Sequence, residues 1–282
     1  MTTSTISAIG ILSPGEMGSG VGTVLHQHGV RVLTCLAGRG AGSRERALRA
    51  GFENVADLDG LVEQSDVLLS IVPPSVAGAV ADQVAAAVRA TRTDLLYADC
   101  NAVAPSTARG IAQTMLAAGA RFADAGIIGP PPTRPGNRIF ASGAGARDLQ
   151  ALGEFGLDVR VLTGDVGQAS GLKMCYAAMT KGLQALGAEL LVAARLLGVE
   201  DTLREEQNEG ASLAAVRQFV ERALPGMPPK AYRWIGEMEE IAHCFEDLGL
   251  PGRILLGAAD VYTNVRDGGL LATELRPITS TV

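Results

Sequence analysis

The 282-residue sequence lacks the features of several specialised classes of protein. Its four cysteines are scattered with no C-x-x-C pair, so we expect small buried side chains in a reducing compartment. No apolar run approaches the ~18 residues of a membrane-spanning helix. The N-terminal residues do not have the charged-then-apolar pattern of a secretion signal. These absences predict a cytoplasmic protein.

Histidine and positive charge are also scarce. His26 and His28 are two apart in a helical pattern and would point to different sides, which leaves only His243, so no metal site is predicted. The chain has 24 Lys and Arg against 30 Asp and Glu, a formal net charge of −6. Such a chain has no net attraction for nucleic acid or anionic membranes. We therefore expect a small-molecule ligand, with neither nucleic acid nor membrane as a partner.

Up to about residue 163, short apolar runs alternate with helical patterns. This alternation predicts β-α-β units, and hence a mostly parallel sheet with helices on both faces. The predicted strands are 6–12, 30–36, 66–72, 93–99, 121–124, 138–142 and 159–163. The predicted helices between them are 16–28, 43–51, 75–90 and 105–118.

The pattern changes after residue 164. A long stretch without proline, 167–198, is followed by helical patterns at 211–223, 229–247 and 253–266, separated by prolines. We therefore predict an α/β domain over 1–164 and an all-α domain over 165–282. A cleft at the carboxyl ends of the strands is the expected ligand site.

The segment ILSPGEMGSGVG (11–22) follows the first predicted strand, where a G-x-G-x-x-G dinucleotide turn would lie. Gly15 and Gly18 match the second and third glycines, which admit the pyrophosphate and allow close packing of the helix. Ser13 and Pro14 replace the first glycine. The candidate cofactor ligands are Ser13, Pro14, Gly15, Glu16, Met17 and Gly18. The alternative interpretation is an ordinary tight β-α turn.

The second predicted strand ends without the carboxylate that would accept from the ribose 2′-hydroxyl of NAD. Arg39, Ser43 and Arg44 follow instead, in the most basic stretch of an acidic chain. Arginine at this place accommodates the 2′-phosphate of NADP. A solvated helix face remains the alternative interpretation of these residues.

Five segments occur in an order that resembles the successive motifs of the β-hydroxyacid dehydrogenase superfamily. They are IGILSPGEMG (9–18), DVLLSIVPP (66–74), YADCNAVAP (97–105), DAGIIGP (124–130) and GQASGLKMCYAA (167–178). The stretch at 231–251 is similar to a branch with a phosphogluconate-dehydrogenase-like C-terminal domain of unknown function. The resemblance implies an N-terminal Rossmann domain with a mostly parallel sheet, an all-α C-terminal domain, and a homodimer.

The resemblance also implies roles for individual residues. Lys173 falls on the general acid/base lysine of the superfamily, whose ammonium protonates the alkoxide formed by hydride addition. Asn101 takes the place of a Ser-Thr pair and would align the nicotinamide amide or a substrate hydroxyl. The turn Val72, Pro73 and Pro74 would lie against the adenosine.

Several expected substrate positions depart from the superfamily pattern. The Ser-Gly-Gly loop reads Ile128, Gly129 and Pro130, and proline has no N–H for a substrate carboxylate. Tyr176 and Ala177 replace a pair of asparagines, and Thr180 replaces a glutamate of the phosphogluconate enzymes, so we do not expect 6-phosphogluconate as the substrate. Lys181 shares a helix face with Tyr176 and Thr180, either as a wall of the cleft or as a solvated face.

The sequence thus predicts an NADP(H)-dependent oxidoreductase that transfers a hydride to or from a small hydroxy acid or a related alcohol or carbonyl compound. Two alternatives remain open. One is an imine reductase on the same fold, although relatives with that activity generally lack the lysine. The other is a sensor that binds NADPH without turning over a substrate.

Overall fold

The structure is a computed structural model that describes residues 6–91 and 93–279. Its contacts divide the chain into two compact units, Met1–Met174 and Cys175–Val282. The division falls inside a helix, because the first turns of that helix pack with the strands. The boundary at 164/165 that the sequence pattern suggested lies just before this helix begins.

The first unit contains one eight-stranded sheet. Its strands are β1 (Ala8–Ile11), β2 (Arg31–Cys35), β3 (Glu53–Val55), β4 (Val67–Ser70), β5 (Leu96–Asp99), β6 (Arg121–Ile128), β7 (Arg138–Ser142) and β8 (Val159–Val161). Their spatial order is β3-β2-β1-β4-β5-β6-β7-β8, and only the β6–β7 pair is antiparallel. The first six strands follow the doubly wound order of dinucleotide-binding sheets, which confirms the predicted Rossmann domain.

Helices cover both faces of this sheet. They are α1 (Glu16–Gln27), α2 (Ala41–Arg49), α3 (Leu58–Glu63), α4 (Pro74–Thr91), α5 (Pro105–Ala117) and α6 (Ala146–Gln150). The strands carry nearly continuous apolar runs because both of their faces are buried. Ile9 and Ile11 of β1 join one core cluster with Leu25 of α1, whereas Leu68 of β4 and Val84 of α4 lie in the other.

The second unit is helical in the part that the structure describes. The helix α7 (Gln168–Leu196) begins in the first unit and continues into the second. It is followed by α8 (Glu200–Glu209), α9 (Ala211–Ala223), α10 (Ala231–Asp247), α11 (Arg253–Arg266) and α12 (Leu270–Thr279). Trp234 of α10 and Tyr262 of α11 pack edge to face, with ring centroids 5.2 Å apart. The predicted all-α C-terminal region is therefore confirmed.

All seven predicted strands are present, but five labelled elements of the structure were not predicted, namely β3, α3, α6, α8 and α12. The strand β3 carries the polar residues Glu53 and Asn54, so no apolar run marked it. The helix α3 is only six residues long and is capped by Asp57, whose carboxylate accepts from the Gly60 amide at 2.8 Å. The helices α8 and α12 were likewise not predicted, and α8 buries no residue.

Asp66 ties the loop before β4 to the start of β1. Its carboxylate accepts from the Ser7 amide at 2.7 Å, the Ser7 hydroxyl at 2.8 Å and the Ala8 amide at 3.0 Å. Burial raises the pKa of Asp66, but these hydrogen bonds outweigh burial and hold the pKa below its ordinary value. A lowered pKa in the folded state means that the ionised group stabilises the fold above about pH 4 and loses this effect as the pH falls further.

We predict that Asp66→Asn lowers the free energy of unfolding by about 1 kcal/mol at pH 7, because the amide cannot accept all three hydrogen bonds. The difference from wild type should shrink towards pH 3, because the folded state loses this stabilisation progressively as the pH falls below about 4. Urea unfolding at both pH values measures it, with Asp82→Asn on the exposed face of α4 as the control. A difference of the same size at both pH values would contradict this account.

Candidate functional site

The glycine-rich turn connects β1 to α1. Gly15 caps the helix in an extended conformation, with φ −70° and ψ −172°. A Cβ placed on Gly15 would meet no atom within 4 Å, whereas one on Gly18 would lie 2.2 Å from the Ser13 carbonyl oxygen. Gly18 is therefore needed for packing of α1 against the turn, and Gly15 leaves open space in front of the helix. An anion can approach the amide groups of a helix N-terminus through such a space.

Side chains after β2 donate to the carbonyl groups of this turn. The Thr34 hydroxyl donates to the Ile11 oxygen at 2.7 Å, and the Arg39 Nη2 donates to the Leu12 oxygen at 3.0 Å. The Arg46 Nε donates to the Pro14 oxygen at 2.8 Å. The structure thus places two guanidinium groups beside the glycine turn.

Arg44 and Ser43 occupy different places in this cluster. The Arg44 Nε donates back to the Arg39 carbonyl at 2.9 Å, and its side chain lies in solvent. Ser43 lies 3.4 Å from the Arg46 guanidinium and accepts from its Nη2. Arg46 was part of the basic stretch noted in the sequence but was not selected as a ligand. Its spacing of three residues from Ser43 on a helix was the available signal.

Asn101 joins the ends of β4 and β5. Its Oδ1 accepts from the Val72 amide at 2.7 Å, and its Nδ2 donates to the Ser70 hydroxyl at 3.0 Å. The Asn101 amide in turn donates to Asp99 at 2.9 Å, and the side chain is buried. The structure therefore places Asn101 behind the turn at Val72, Pro73 and Pro74, whose position it fixes.

Cys100 lies between Asp99 and Asn101 and is buried. Burial raises the pKa of the Cys100 thiol, and the nearby Asp99 and Asp124 carboxylates raise it further. A thiol in such surroundings stays neutral, and the thiolate is the form that acts as a nucleophile. Cys100 is thus not placed as a nucleophile at this edge of the sheet.

Lys173 lies in the second turn of α7, half-buried against β6. Its ammonium donates to the Ile127 carbonyl oxygen. A Cβ on Gly126 would lie 2.7 Å from the Ala169 oxygen and 3.1 Å from the Lys173 Cβ, so the missing side chain lets α7 approach the strand. Strands β1, β4, β5 and β6 are parallel, and their carboxyl ends therefore bring the glycine turn, Val72, Asn101 and Ile127 to one edge.

The start of α7 is fixed by Asp124 on β6. This buried carboxylate accepts hydrogen bonds from the amides of Gly167, Ala169 and Ser170 and from the hydroxyls of Ser142 and Ser170. The sequence analysis did not select Asp124 or Gly126. Both belong to the segment DAGIIGP, of which only Ile128, Gly129 and Pro130 were selected.

The loop between β6 and β7 runs along the first turns of α1. Gly129 has φ +107°, a conformation that favours glycine, and Asn137 donates to the Pro130 oxygen at 2.6 Å. A Cβ on Gly20 of α1 would lie 2.9 Å from the Pro131 Cβ. The structure thus brings Ile128, Gly129 and Pro130 to the same edge as the glycine turn.

Four predicted substrate residues lie on α7 beyond the division between the units. Tyr176 is exposed, Ala177 is buried, and the Thr180 hydroxyl donates to the Tyr176 carbonyl at 3.1 Å. Lys181 forms an ion pair with Glu237 and lies 6.0 Å from the centroid of the Trp234 ring. Lys181 therefore belongs to a packed, mostly buried cluster of the helical unit.

No group of three or more His, Cys, Asp or Glu side chains among the described residues is arranged to hold a metal ion. No helix in residues 6–91 and 93–279 combines the length and apolar character needed to cross a membrane.

The doubly wound sheet, the glycine turn and the helix start behind it define a dinucleotide-binding protein. Residues 5–152 match the family described as the NAD binding domain of 6-phosphogluconate dehydrogenase. Residues 194–265 match a domain of unknown function, DUF1932. The chain belongs to this 6-phosphogluconate dehydrogenase-like family, which confirms the resemblance found in the sequence.

Individual relatives agree with this assignment. An uncharacterised 28.5 kDa protein of Methanothermus fervidus is 32% identical over 204 residues, which cover 72% of this chain and 77% of that protein. A solved protein of unknown function, described as structurally similar to 3-hydroxyacid dehydrogenases, is 28% identical with a TM-score of 0.67, over 95% of this chain and 98% of that one. The 3-hydroxyisobutyrate dehydrogenase of Mycobacterium tuberculosis shares the fold, with 18% identity and a TM-score of 0.72, over 96% and 100% of the two chains.

We predict that Gly18→Ala lowers the free energy of unfolding by about 2 kcal/mol, because the added methyl group collides with a backbone oxygen. Gly15→Ala should change it by less than about 0.5 kcal/mol, since its methyl group enters open space. Thermal and urea unfolding measure both variants side by side. Equal destabilisation by the two substitutions would show that the turn does not have this geometry.

Proposed function

We propose that the protein is an NADP(H)-dependent oxidoreductase that transfers a hydride to or from a small hydroxy acid or a related alcohol or carbonyl compound. The observation that carries the proposal is the Lys173 ammonium on the Ile127 carbonyl, at the edge of the sheet that also holds the glycine turn. A proton donor at this edge is what carbonyl reduction requires beside a hydride source.

The residues around the turn suit a dinucleotide. Gly15 leaves the space that a pyrophosphate needs, and the neighbouring ligands would be Ser13, Pro14, Glu16, Met17 and Gly18. Arg39, Ser43 and Arg44 would hold a 2′-phosphate, and the contact of Arg46 with Ser43 adds this arginine to the set. When bound, the nicotinamide ring supplies or accepts the hydride.

The chain's own residues handle the proton and the positions of the groups. In reduction, Lys173 gives a proton to the carbonyl oxygen as the carbon gains the hydride; in oxidation, neutral Lys173 takes the hydroxyl proton. Asn101 holds the Val72 turn in place, and we expect that turn to face the adenosine.

Within the first unit, the substrate is expected to contact Ile128, Gly129 and Pro130. Pro130 lacks an amide group, which reduces the number of backbone donors for a carboxylate. This loss favours substrates less acidic than a free hydroxy acid. Imines are also candidate substrates, because their reduction requires a similar proton donor.

We predict that Arg39→Ala weakens NADPH binding by at least tenfold and weakens NADH binding much less, because NADH lacks the 2′-phosphate that the guanidinium would bind. Isothermal titration calorimetry with both nucleotides measures this difference. Arg49→Ala, which removes an exposed arginine paired with Glu45, is the control and should bind as wild type does. An equal weakening of NADPH binding and NADH binding would contradict the proposed preference for NADP.

We predict that Lys173→Ala lowers the rate of hydride transfer by about 10²- to 10⁴-fold with little change in NADPH affinity. Hydroxy acids, hydroxyamides, ketones and imines are screened by absorbance of the reduced nicotinamide, with Lys230→Ala as the matched lysine control. If no compound gives transfer that depends on Lys173 while NADPH still binds tightly, a nucleotide sensor replaces the enzyme.

We also propose a homodimer formed through α7. Within the second unit, apolar residues of this helix repeat in steps of three and four, which is the spacing of a helix-pairing seam. They are Tyr176, Met179, Leu183, Leu186, Leu190 and Ala193. Met179 is 69% and Leu186 60% exposed, and both line a groove of about 670 Å³ between α7 and α11. The same seam on a second copy supplies a matching ridge.

We predict that Leu186→Lys converts the dimer to a monomer, since it places a charge at the centre of the seam. Light scattering coupled to gel filtration measures the mass. Leu116→Lys, at a similarly exposed leucine of α5, is the control and should remain dimeric. A monomeric wild-type protein would refute the proposal directly.

A further inference from the structure

Asp124 is surrounded by hydrogen-bond donors. The amides of Gly167, Ala169 and Ser170 lie 2.8, 3.1 and 3.2 Å from its Oδ2, the Ser142 hydroxyl lies 2.8 Å from the same atom, and the Ser170 hydroxyl lies 2.5 Å from Oδ1. All five partners donate, so the ionised carboxylate, which only accepts, is the form that satisfies them. Asp124 thus places a buried negative charge at the N-terminus of α7.

The alternating directions of the side chains along β6 relate the position of Asp124 to that of Lys173. Side chains two residues apart on a strand share a face, so Asp124 and Gly126 both face α7. Asp124 holds the first turn of the helix, and Gly126 admits the second turn, where Lys173 reaches the Ile127 carbonyl. The two residues together determine where the ammonium lies.

The start of α7 would otherwise disfavour a positive charge. The amide groups of a helix N-terminus amount to about half a positive charge, and Lys173 follows within two turns. A carboxylate on these amides offsets their field. The other titratable or hydrogen-bonding groups that contacts or charge interactions place around this helix start are Asp99 on β5, Cys100 directly after it, Arg109 on α5 and Ser142 on β7.

We propose that Asp124 is a positioning residue for Lys173, which fixes the first turn of α7 and supplies the negative charge that keeps the Lys173 ammonium protonated. The inference rests on the proposed function in one respect, since it assigns a use to the proton that Lys173 carries. Of the surrounding groups, Arg109 adds positive charge beside Gly167, so Asp124 offsets an arginine as well as the helix. Ser142 carries no charge and Cys100 stays neutral.

The chain offers a direct measurement of this effect. It contains three lysines, Lys173, Lys181 and Lys230, so the protein methylated with ¹³C-formaldehyde gives three lysine signals. Lys173→Arg assigns the signal of interest. Titration by NMR then gives the midpoint for Lys173 in the full chain, with no substrate or cofactor present.

We expect Asp124→Asn to lower the Lys173 midpoint by about one pH unit, which is a tenfold increase in the neutral amine at a given pH. The signals of Lys181 and Lys230 should not move. Ser170→Ala removes one hydrogen bond and keeps the charge, so it should leave the midpoint in place. Gln168→Glu adds an exposed carboxylate to the first turn of α7 and should raise the midpoint by a few tenths of a unit.

An unchanged midpoint in Asp124→Asn overturns the proposal, as does an equal shift in Ser170→Ala, which would trace the effect to position alone. If Asp124→Asn does not fold, Gln168→Glu decides: a rise supports the proposal and no change overturns it. Failure of the proposed function is seen separately, as hydride transfer that persists in Lys173→Ala, because the titration does not depend on turnover.

Discussion

The buried carboxylate of Asp124 is the group on which one end of the first unit's sheet depends, the end that carries the glycine turn and Lys173. It joins β6, β7 and the first turn of α7 through five hydrogen bonds. A buried charge is stable only when its partners are complete, and here every partner is a donor held by regular structure. The first turn of α7 is therefore held against β6 and β7 by hydrogen bonds to a single residue.

Two glycines set how closely the helices α1 and α7 approach the backbone beside them, which the Asp124 carboxylate alone does not determine. Gly18 allows α1 to approach the Ser13 carbonyl, and Gly126 allows α7 to approach β6. In both cases a helix comes close to the carboxyl end of a strand, where a side chain would hold it away. The open space before Gly15 and the position of Lys173 are the two results of this close packing, and both lie on the same edge of the sheet.

The sequence predicted the parts whose signals are local. Continuous apolar runs identified seven strands, and the proline-free stretch identified α7, because burial on both faces and helical spacing leave patterns along the chain. The polar strand β3 and the helix α8, which buries nothing, left no such pattern. Asp124 was missed for another reason. Its partners on β7 and α7 are distant in sequence, and linear spacing carries no record of those contacts.

The antiparallel direction of β7 determines where the loop between β6 and β7 lies. Because β7 reverses direction, the loop that joins it to β6 stays at the carboxyl edge, where a parallel crossover would have carried the chain to the opposite end. Insertions or deletions at Pro131–Gly136 therefore reshape the wall beside the glycine turn and leave the pairing of Asp124 with Ser142 intact. The tip of this hairpin can therefore vary in length while the glycine turn and the hydrogen bonds of Asp124 keep their positions.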